Sequence, residues 1–304
     1  MDLLWWFYDL RTPFLDTLFS WVTRFGEEMS LIAIFCLVFW CLNKKMAYVI
    51  GYAFFLSGLI VQGMKTIFRV PRPWVYDPTF QPVGGSIYAS TGYAFPSGHT
   101  QTGVALLGSV GACVKTKWFR YTLYFLGFLV GFSRLYLGVH YIEDVLASFA
   151  ITIAVIIFAK VLLGKKEKTS KQLLMGLSVL MILVAAAAIG YAIYLYHNNI
   201  TTPAQLRDST RVAGAAIGFA IGMYIEQTYI NFSPGTKTIL GQVVKMILGV
   251  VGLVAVQEGF RLIGTGLVMD SIRYFLVVMW AVVVYPLIIK KFFEKKPVHT
   301  DLYG

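Results

Sequence analysis

Three short blocks between residues 65 and 144 carry side chains suited to phosphoryl chemistry. The first is Lys65, six intervening residues, then Arg72-Pro73. The second is Pro96-Ser97-Gly98-His99. The third is Ser133-Arg134, five residues, His140, three residues, and Asp144. Each block sits where an apolar run ends. His140 and Asp144 stand four apart at the start of such a run, so a helix places them on one face, one turn apart. A carboxylate in that position fixes the imidazole tautomer and stabilises an imidazolium, which leaves the outer nitrogen of His140 free to attack phosphorus. His99 follows Pro96-Ser97-Gly98 at a helix start, where exposed N–H groups and the positive end of the helix dipole favour an anion. Gly98 lets backbone approach that anion closely. Lys65, Arg72 and Arg134 add positive charge for non-bridging oxygens, arginine in bidentate fashion and lysine as a point charge.

Taken singly, each residue has a plainer explanation. A histidine at a helix start is commonly a capped or interfacial residue. Lys65 and Arg72 suit lipid headgroups, and Asp144 suits the positive end of its own helix. The plainer explanations weaken because all six groups fall on one predicted membrane face, where random placement would scatter them over both.

The elements that must position these blocks are membrane helices. The chain has 304 residues, of which 58% are hydrophobic and 13% charged, where a soluble domain has about 25% charged residues. Repeated apolar runs near span length indicate an all-α, polytopic membrane helical bundle; a closed β-barrel would show short alternating strands. The net charge of +11 lies mainly in short loops between apolar runs. That is the orientation signal of a membrane protein, so the expected surroundings are the lipid bilayer and no nucleic acid. Cys36, Cys41 and Cys113 lie in apolar runs without metal-ligand or disulfide spacing.

Residues 1–26 combine Trp5, Trp6 and Trp21 with a break at Arg11-Thr12-Pro13, and are expected to lie in the membrane interface. Residues 27–163 form the expected catalytic membrane core, and 164–304 add C-terminal transmembrane helices. Nine spans are expected, near 27–43, 46–68, 99–115, 118–135, 141–163, 172–196, 210–231, 239–259 and 271–291. Lys44, Lys45, Lys115, Lys117, Arg120, Lys165, Lys166, Lys168, Lys171, Lys290, Lys291, Lys295 and Lys296 then fall on one side, the cytoplasmic one by the positive-inside rule. The three blocks fall on the extracytoplasmic or lumenal side, and the C-terminus is cytoplasmic. The proline- and aromatic-rich loop 70–96 either covers the site or serves as an interfacial loop. Gly214, Gly218 and Gly222, four apart, mark a close helix contact, either within the chain or in a homo-oligomer. Glu226 and Lys245 are expected to form a structural ion pair on adjacent helices.

The three blocks together resemble the signature of the type 2 phosphatidic acid phosphatase superfamily: Lys-x6-Arg-Pro, Pro-Ser-Gly-His and Ser-Arg-x5-His-x3-Asp, complete and in order. The resemblance covers roughly residues 14–163. Leu15-Asp16 and Thr23-Arg24-Phe25-Gly26 also look like a segment common in bacterial members. The resemblance implies a two-step mechanism through a phosphohistidine, with no metal or other cofactor. It implies His140 as nucleophile, Asp144 as its orienting partner and His99 as general acid. Lys65, Arg72, Ser97, Gly98 and Arg134 would hold the phosphoryl group. The nine-span pattern is similar to the topology of glucose-6-phosphatases, and the run from Gly26-Glu27-Glu28 to Phe39-Trp40 is similar to sphingosine-phosphate phosphatases.

The expected function is an integral membrane phosphatase acting at the extracytoplasmic face on a lipid phosphate or diphosphate. Polyprenyl diphosphate, phosphatidate, phosphatidylglycerophosphate and sphingoid phosphates are the candidate substrates. One alternative is hydrolysis of a soluble sugar phosphate, as in glucose-6-phosphatase. Another, of a different class, is a lipid or anion transporter that uses the basic site for binding and Glu226, Lys245 and Glu258 for transport. Haloperoxidases share the pattern, with vanadate in the phosphate site, but they are soluble, and the many spans here argue against that reading.

Overall fold

Helix boundaries follow caps written into the sequence. The computed structural model describes residues 1–88, 90–164, 169–236 and 238–294. Helices α1 (Asp2–Asp9) and α2 (Pro13–Val22) part at Thr12, whose hydroxyl accepts the Leu15 N–H while Pro13 takes the first helical position. The expected break at Arg11-Thr12-Pro13 is therefore present. A 3-10 turn, Thr23–Gly26, leads into α3 (Glu28–Leu37), which continues as a π-helical turn over Val38–Leu42. The rods Pro13–Gly26 and Glu28–Leu42 meet at 54°. Asn43 caps α4 (Lys44–Phe68), which ends at Arg69 in the left-handed region (φ 49°). The short α5 (Pro73–Tyr76) follows, then α6 (Gly98–Cys113), α7 (Lys117–Tyr136) and α8 (Ile142–Leu163).

The C-terminal region comprises α9 (Lys171–His197), α10 (Pro203–Ile225) with a π-helical turn over Glu226–Ile230, and α11 (Ile239–Ile263). Helix α12 (Leu267–Met279) then runs through another π-helical turn, Trp280–Val284, into α13 (Tyr285–Phe292). No strand occurs among the described residues. All nine expected segments are helical. Five rods are long and apolar enough to cross a membrane, and the bent pair of α2 and α3 makes a sixth if it is one span. Helices α6, α7 and α10 are the more polar rods. Their ends hold Thr100 and Gln101, then Arg134, then Gln205, all buried against other parts of the protein.

Helices α4, α6 and α8 pack on one another and frame the end that holds the three blocks. Each has site residues at one end and a cation at or just beyond the other: Lys65 opposite Lys44 and Lys45, His99 opposite Lys115, Asp144 opposite Lys160. Lys165, Lys166, Lys168, Lys295 and Lys296 lie outside the described residues. The N-terminal helices lean on α7 through Phe7 and Phe132 (ring centroids 5.4 Å) and Phe19 and Tyr136 (4.5 Å). Trp6 and Trp21 remain exposed, while Trp5 meets Phe80 edge-on.

In the C-terminal region one expectation is met within the chain and another is corrected. The small-residue face of α10 is filled inside the chain. A methyl group on Gly214 would stand 2.5 Å from the Ser271 carbonyl oxygen, and one on Gly218 would stand 2.8 Å from that of Phe275. Helix α12 occupies that face by close backbone approach, the within-chain form of the expected contact. The expected pairing of Glu226 with Lys245 does not form. Glu226 is fully buried and pairs with Lys44 (3.0 Å), the Tyr48 hydroxyl and the Phe232 N–H. Lys245 donates to the Pro234 carbonyl at 2.7 Å instead. The cause is the left-handed Asn231 (φ 46°). It folds the chain so that Glu226, Asn231 and the Phe232 carbonyl all accept from Lys44. Glu258 meets Arg261 on an exposed face. The three groups that a transport pathway would use are thus dispersed among separate contacts.

Candidate active site

Local backbone geometry explains why the three blocks have the spacings they do. Lys65 lies in the last turn of α4, where a cation suits the negative end of the dipole. The left-handed Arg69 then turns the chain, and Arg72 becomes the residue before the first position of α5, with Pro73 inside it. The six residues between Lys65 and Arg72 are therefore a helix end plus a reversal. In the third block, α7 ends after Arg134, and Gly138 adopts φ +73°. Val139 N–H returns to the Arg134 carbonyl (3.2 Å), closing the helix end. A side chain at Gly138 would also strike Arg11 Nη2 at 2.7 Å. That reversal carries His140 back over Arg134.

His140 and Asp144 form the expected pair, with Nδ1 and Oδ2 3.0 Å apart and both residues 1% exposed. The same Oδ2 accepts the Tyr141 N–H at 2.9 Å, capping α8. Arg72 Nη1 lies 2.8 Å from Nε2 and 3.5 Å from Nδ1 of the same ring. The Asp144 carboxylate accepts from Nδ1, which assigns the proton of the neutral ring to Nδ1 and the lone pair to Nε2. Burial first, and then the cations Arg72, Arg134 and Lys65, hold the His140 imidazole well below its usual pKa. Both effects favour the neutral ring, whose Nε2 lies beside Arg72.

The second block meets the third through backbone. Ser97 N–H donates to the Asp144 carbonyl (3.1 Å), and Ser148 Oγ donates to the Ser97 carbonyl (2.9 Å). Ser97 caps α6 by accepting the Thr100 N–H, so Gly98 and His99 supply free N–H groups in the first turn. A methyl group on Gly98 would meet nothing within 4 Å, so space lies open beside that backbone. His99 Nε2 is buried and has no hydrogen-bond partner among the described residues.

All three cations are buried, and each is anchored. Arg134 donates to Thr23 Oγ1 and Ser90 Oγ, both at 2.7 Å, and its Nε is unpartnered. Arg72 donates to the carbonyls of Thr91 (2.9 Å), Gly92 (3.1 Å) and Val139 (2.9 Å). Lys65 donates to the Tyr93 carbonyl at 2.6 Å. Lys65, Arg72, His99, Arg134, His140 and Asp144 are thus gathered at one end of the bundle, with Ser97 and Gly98 at the start of α6 beside them. Carbonyl dipoles offset part of the cost of burying like charges together. The donors left over point to an oxyanion with several acceptor oxygens, such as a phosphoryl group.

Sequence reasoning did not single out Thr23, Ser90 or the carbonyls of 91–93. Backbone acceptors carry no residue-type signal. Thr23 and Gly26 lie in the segment that resembled bacterial members, yet the sequence assigned them to an interfacial region. Gly26 in fact lies under the start of α6: a methyl group there would stand 2.6 Å from the His99 carbonyl oxygen and 2.9 Å from Val130 Cγ1. Gly26→Ala is expected to push His99 out of line, lowering kcat/KM about tenfold and costing about 1–3 kcal/mol of stability. Phosphate release and thermal unfolding in detergent measure the two effects; normal values for both would show that the 23–26 turn yields without moving α6.

The sequence model of the PAP2 superfamily matches residues 46–168, and that of the PAP2 superfamily phosphatase, transmembrane extension, matches residues 210–296. The chain is similar to dihydrosphingosine 1-phosphate phosphatase YSR3 of Saccharomyces cerevisiae: 29% identity over 46% of this chain and 37% of that protein. It is similar to lipid A 4'-phosphatase of Porphyromonas gingivalis, with 29% identity over 48% of this chain and 65% of that protein. It is also similar to undecaprenyl-diphosphatase BcrC of Bacillus subtilis, with 28% identity over 46% of this chain and 71% of that protein. The chain thus spans less than two thirds of the length of the first two relatives. Among solved structures, that of Aquifex aeolicus LpxE is similar at 24% identity and a TM-score of 0.47, covering 52% of this chain and 92% of that one.

Proposed function

This chain belongs to the PAP2 superfamily, the type 2 phosphatidic acid phosphatases, and from that premise we propose that it is an integral membrane phosphatase that hydrolyses a lipid phosphate or diphosphate through a phosphohistidine. The observation that carries the reading is the chain of contacts Arg72–His140–Asp144, with 2.8 Å to Nε2 and 3.0 Å from Nδ1. It presents a neutral imidazole lone pair beside an arginine that can shift its N–H to a phosphoryl oxygen.

The steps follow from those positions. Lys65, Arg72, Arg134 and the first-turn N–H groups of α6 bind the non-bridging oxygens and neutralise charge in the transition state. His140 Nε2 attacks phosphorus, forming a P–N bond as the P–O bond to the leaving group breaks. His99 Nε2 gives its proton to the departing oxygen. Asp144 stabilises the positive ring that results. Water, deprotonated by His99, then attacks phosphorus, the P–N bond breaks, and phosphate leaves with His140 neutral again.

The catalytic end of α4, α6 and α8 is opposite their cation-rich end, which supports an extracytoplasmic or lumenal site and a cytoplasmic C-terminus. Relatives named for sphingoid phosphate, lipid A and undecaprenyl diphosphate substrates support a lipid substrate. Purified protein in detergent should release phosphate from at least one of polyprenyl diphosphate, phosphatidate, phosphatidylglycerophosphate and sphingosine phosphate, with EDTA present. Glucose 6-phosphate in the same panel tests the soluble-substrate alternative. No release from any of them would remove the reading, and release that EDTA abolishes would remove its metal-independent mechanism.

A further inference from the structure

One four-residue strap, residues 90–93, accepts hydrogen bonds from all three cations of the site. Ser90 Oγ takes Arg134, the Thr91 and Gly92 carbonyls take Arg72, and the Tyr93 carbonyl takes Lys65. The strap leaves each cation with donors to spare. Arg72 spends four of its five N–H groups on Gly92, Thr91, Val139 and His140. Arg134 keeps its Nε free, and Lys65 spends one of three donors. The strap therefore sets where the remaining donors point and how far apart three mutually repelling charges stand.

The strap is backed from outside the catalytic core. Gly92 adopts φ +67°, and a methyl group on it would lie 2.8 Å from Gln205 Oε1. Gln205 sits in the first turn of α10, 3% exposed, with its backbone N–H held by Thr202 Oγ1 and its Nε2 3.4 Å from Thr66 Oγ1, the residue after Lys65. The same face of α10 meets α4 again where Gln62 Nε2 donates to Ser209 Oγ at 3.1 Å. One side chain of the C-terminal region thus touches both the strap and the helix that carries Lys65.

We propose that Gln205 is a positioning residue of the phosphate site: α10 closes the site from behind, and Gln205 holds the 90–93 strap in the place that aligns Lys65, Arg72 and Arg134. This inference rests on the phosphate-site reading above and gives the C-terminal helices a part in it. A gap behind the strap lets it recede, and the three cations spread under their own repulsion. Phosphoryl binding then weakens, although no group that touches phosphate has been removed.

The test uses the full-length protein in detergent and two readouts, kcat/KM for the best substrate of the panel and titration calorimetry of inorganic phosphate. Gln205→Ala should lower kcat/KM about tenfold and weaken phosphate binding by a similar factor, with the thermal unfolding midpoint unchanged. Gln205→Asn, which keeps the amide, should recover part of both. The loss should be less than additive with that of Ser90→Ala, since both act through the strap. Unchanged binding and kcat/KM in folded Gln205→Ala, or full additivity with Ser90→Ala, would overturn the proposal. If Gln205→Ala is not recovered folded, Gln205→Asn and Gln205→Met decide by the same two readouts. Phosphate binding that depends on Gln205 in a protein that hydrolyses nothing would remove the enzyme reading and keep the positioning role.

Discussion

His140→Ala is expected to lower kcat/KM by about four orders of magnitude or more. The nucleophile is the single atom whose loss removes a step rather than slowing it. Water in the vacated space would have to attack phosphorus directly, with the oxyanion-binding cations still in place, so some residual rate remains. Phosphate affinity should fall much less than the rate, because Lys65, Arg134 and the start of α6 do not depend on the imidazole for their anchors. Arg72 also keeps its three carbonyl partners. Wild-type protein mixed with substrate labelled in its phosphoryl group and quenched in alkali should carry label, and the variant should carry none. Equal labelling of the two proteins, or a loss below about tenfold, would move the nucleophile to another residue.

Asp144→Asn is expected to cost about three orders of magnitude in kcat/KM while leaving the fold intact. One carboxylate oxygen accepts both the His140 Nδ1–H and the Tyr141 N–H. An asparagine can place its carbonyl oxygen at that point, so the tautomer and the cap of α8 both survive. The negative charge does not. As Nε2 bonds to phosphorus the ring becomes cationic, in a buried site that already holds three other cations. Low polarity makes the missing charge count for more than it would in water. Asp144→Ala removes the acceptor as well, and should add instability to the same catalytic loss. Thermal unfolding and phosphate release for the two variants separate charge from geometry. An Asp144→Asn protein within tenfold of wild type would show that Asp144 acts only as a helix cap.

Much of the candidate site was legible because its side chains are chemically rare where they occur. Charged and imidazole groups at the ends of apolar runs are costly unless they are paired or used, so their type and spacing stand out. The spacings also encode backbone events: a helix end and reversal between Lys65 and Arg72, a glycine-closed helix end between Arg134 and His140, one helical turn between His140 and Asp144. Less legible was what anchors the cations. The partners are mostly backbone carbonyls at 91–93 and 139, identical in every residue type, along with Thr23 and Ser90, small hydroxyls common in any loop. The Glu226–Lys245 expectation failed for a related reason. Both residues were recognised as ionisable groups on adjacent membrane helices, but a left-handed Asn231 decided which cation reached the carboxylate.

Composition and periodicity alone established a helical membrane bundle, and the three blocks alone singled out the side chains that the fold gathers at one end of it. Those properties depend on transfer of whole segments out of water and on contacts within one turn, both local in the chain. Tertiary structure decided what else meets the His140 ring, since Arg72 arrives 2.8 Å from Nε2 across 68 positions. It decided that α12 fills the glycine face of α10, and that Gln205 in the first turn of α10 stands against Gly92 of the strap that anchors the three cations. Such contacts join residues far apart in sequence through close backbone approach. No local pattern records them, because each partner is free to satisfy the same chemistry with many others until the whole bundle has packed.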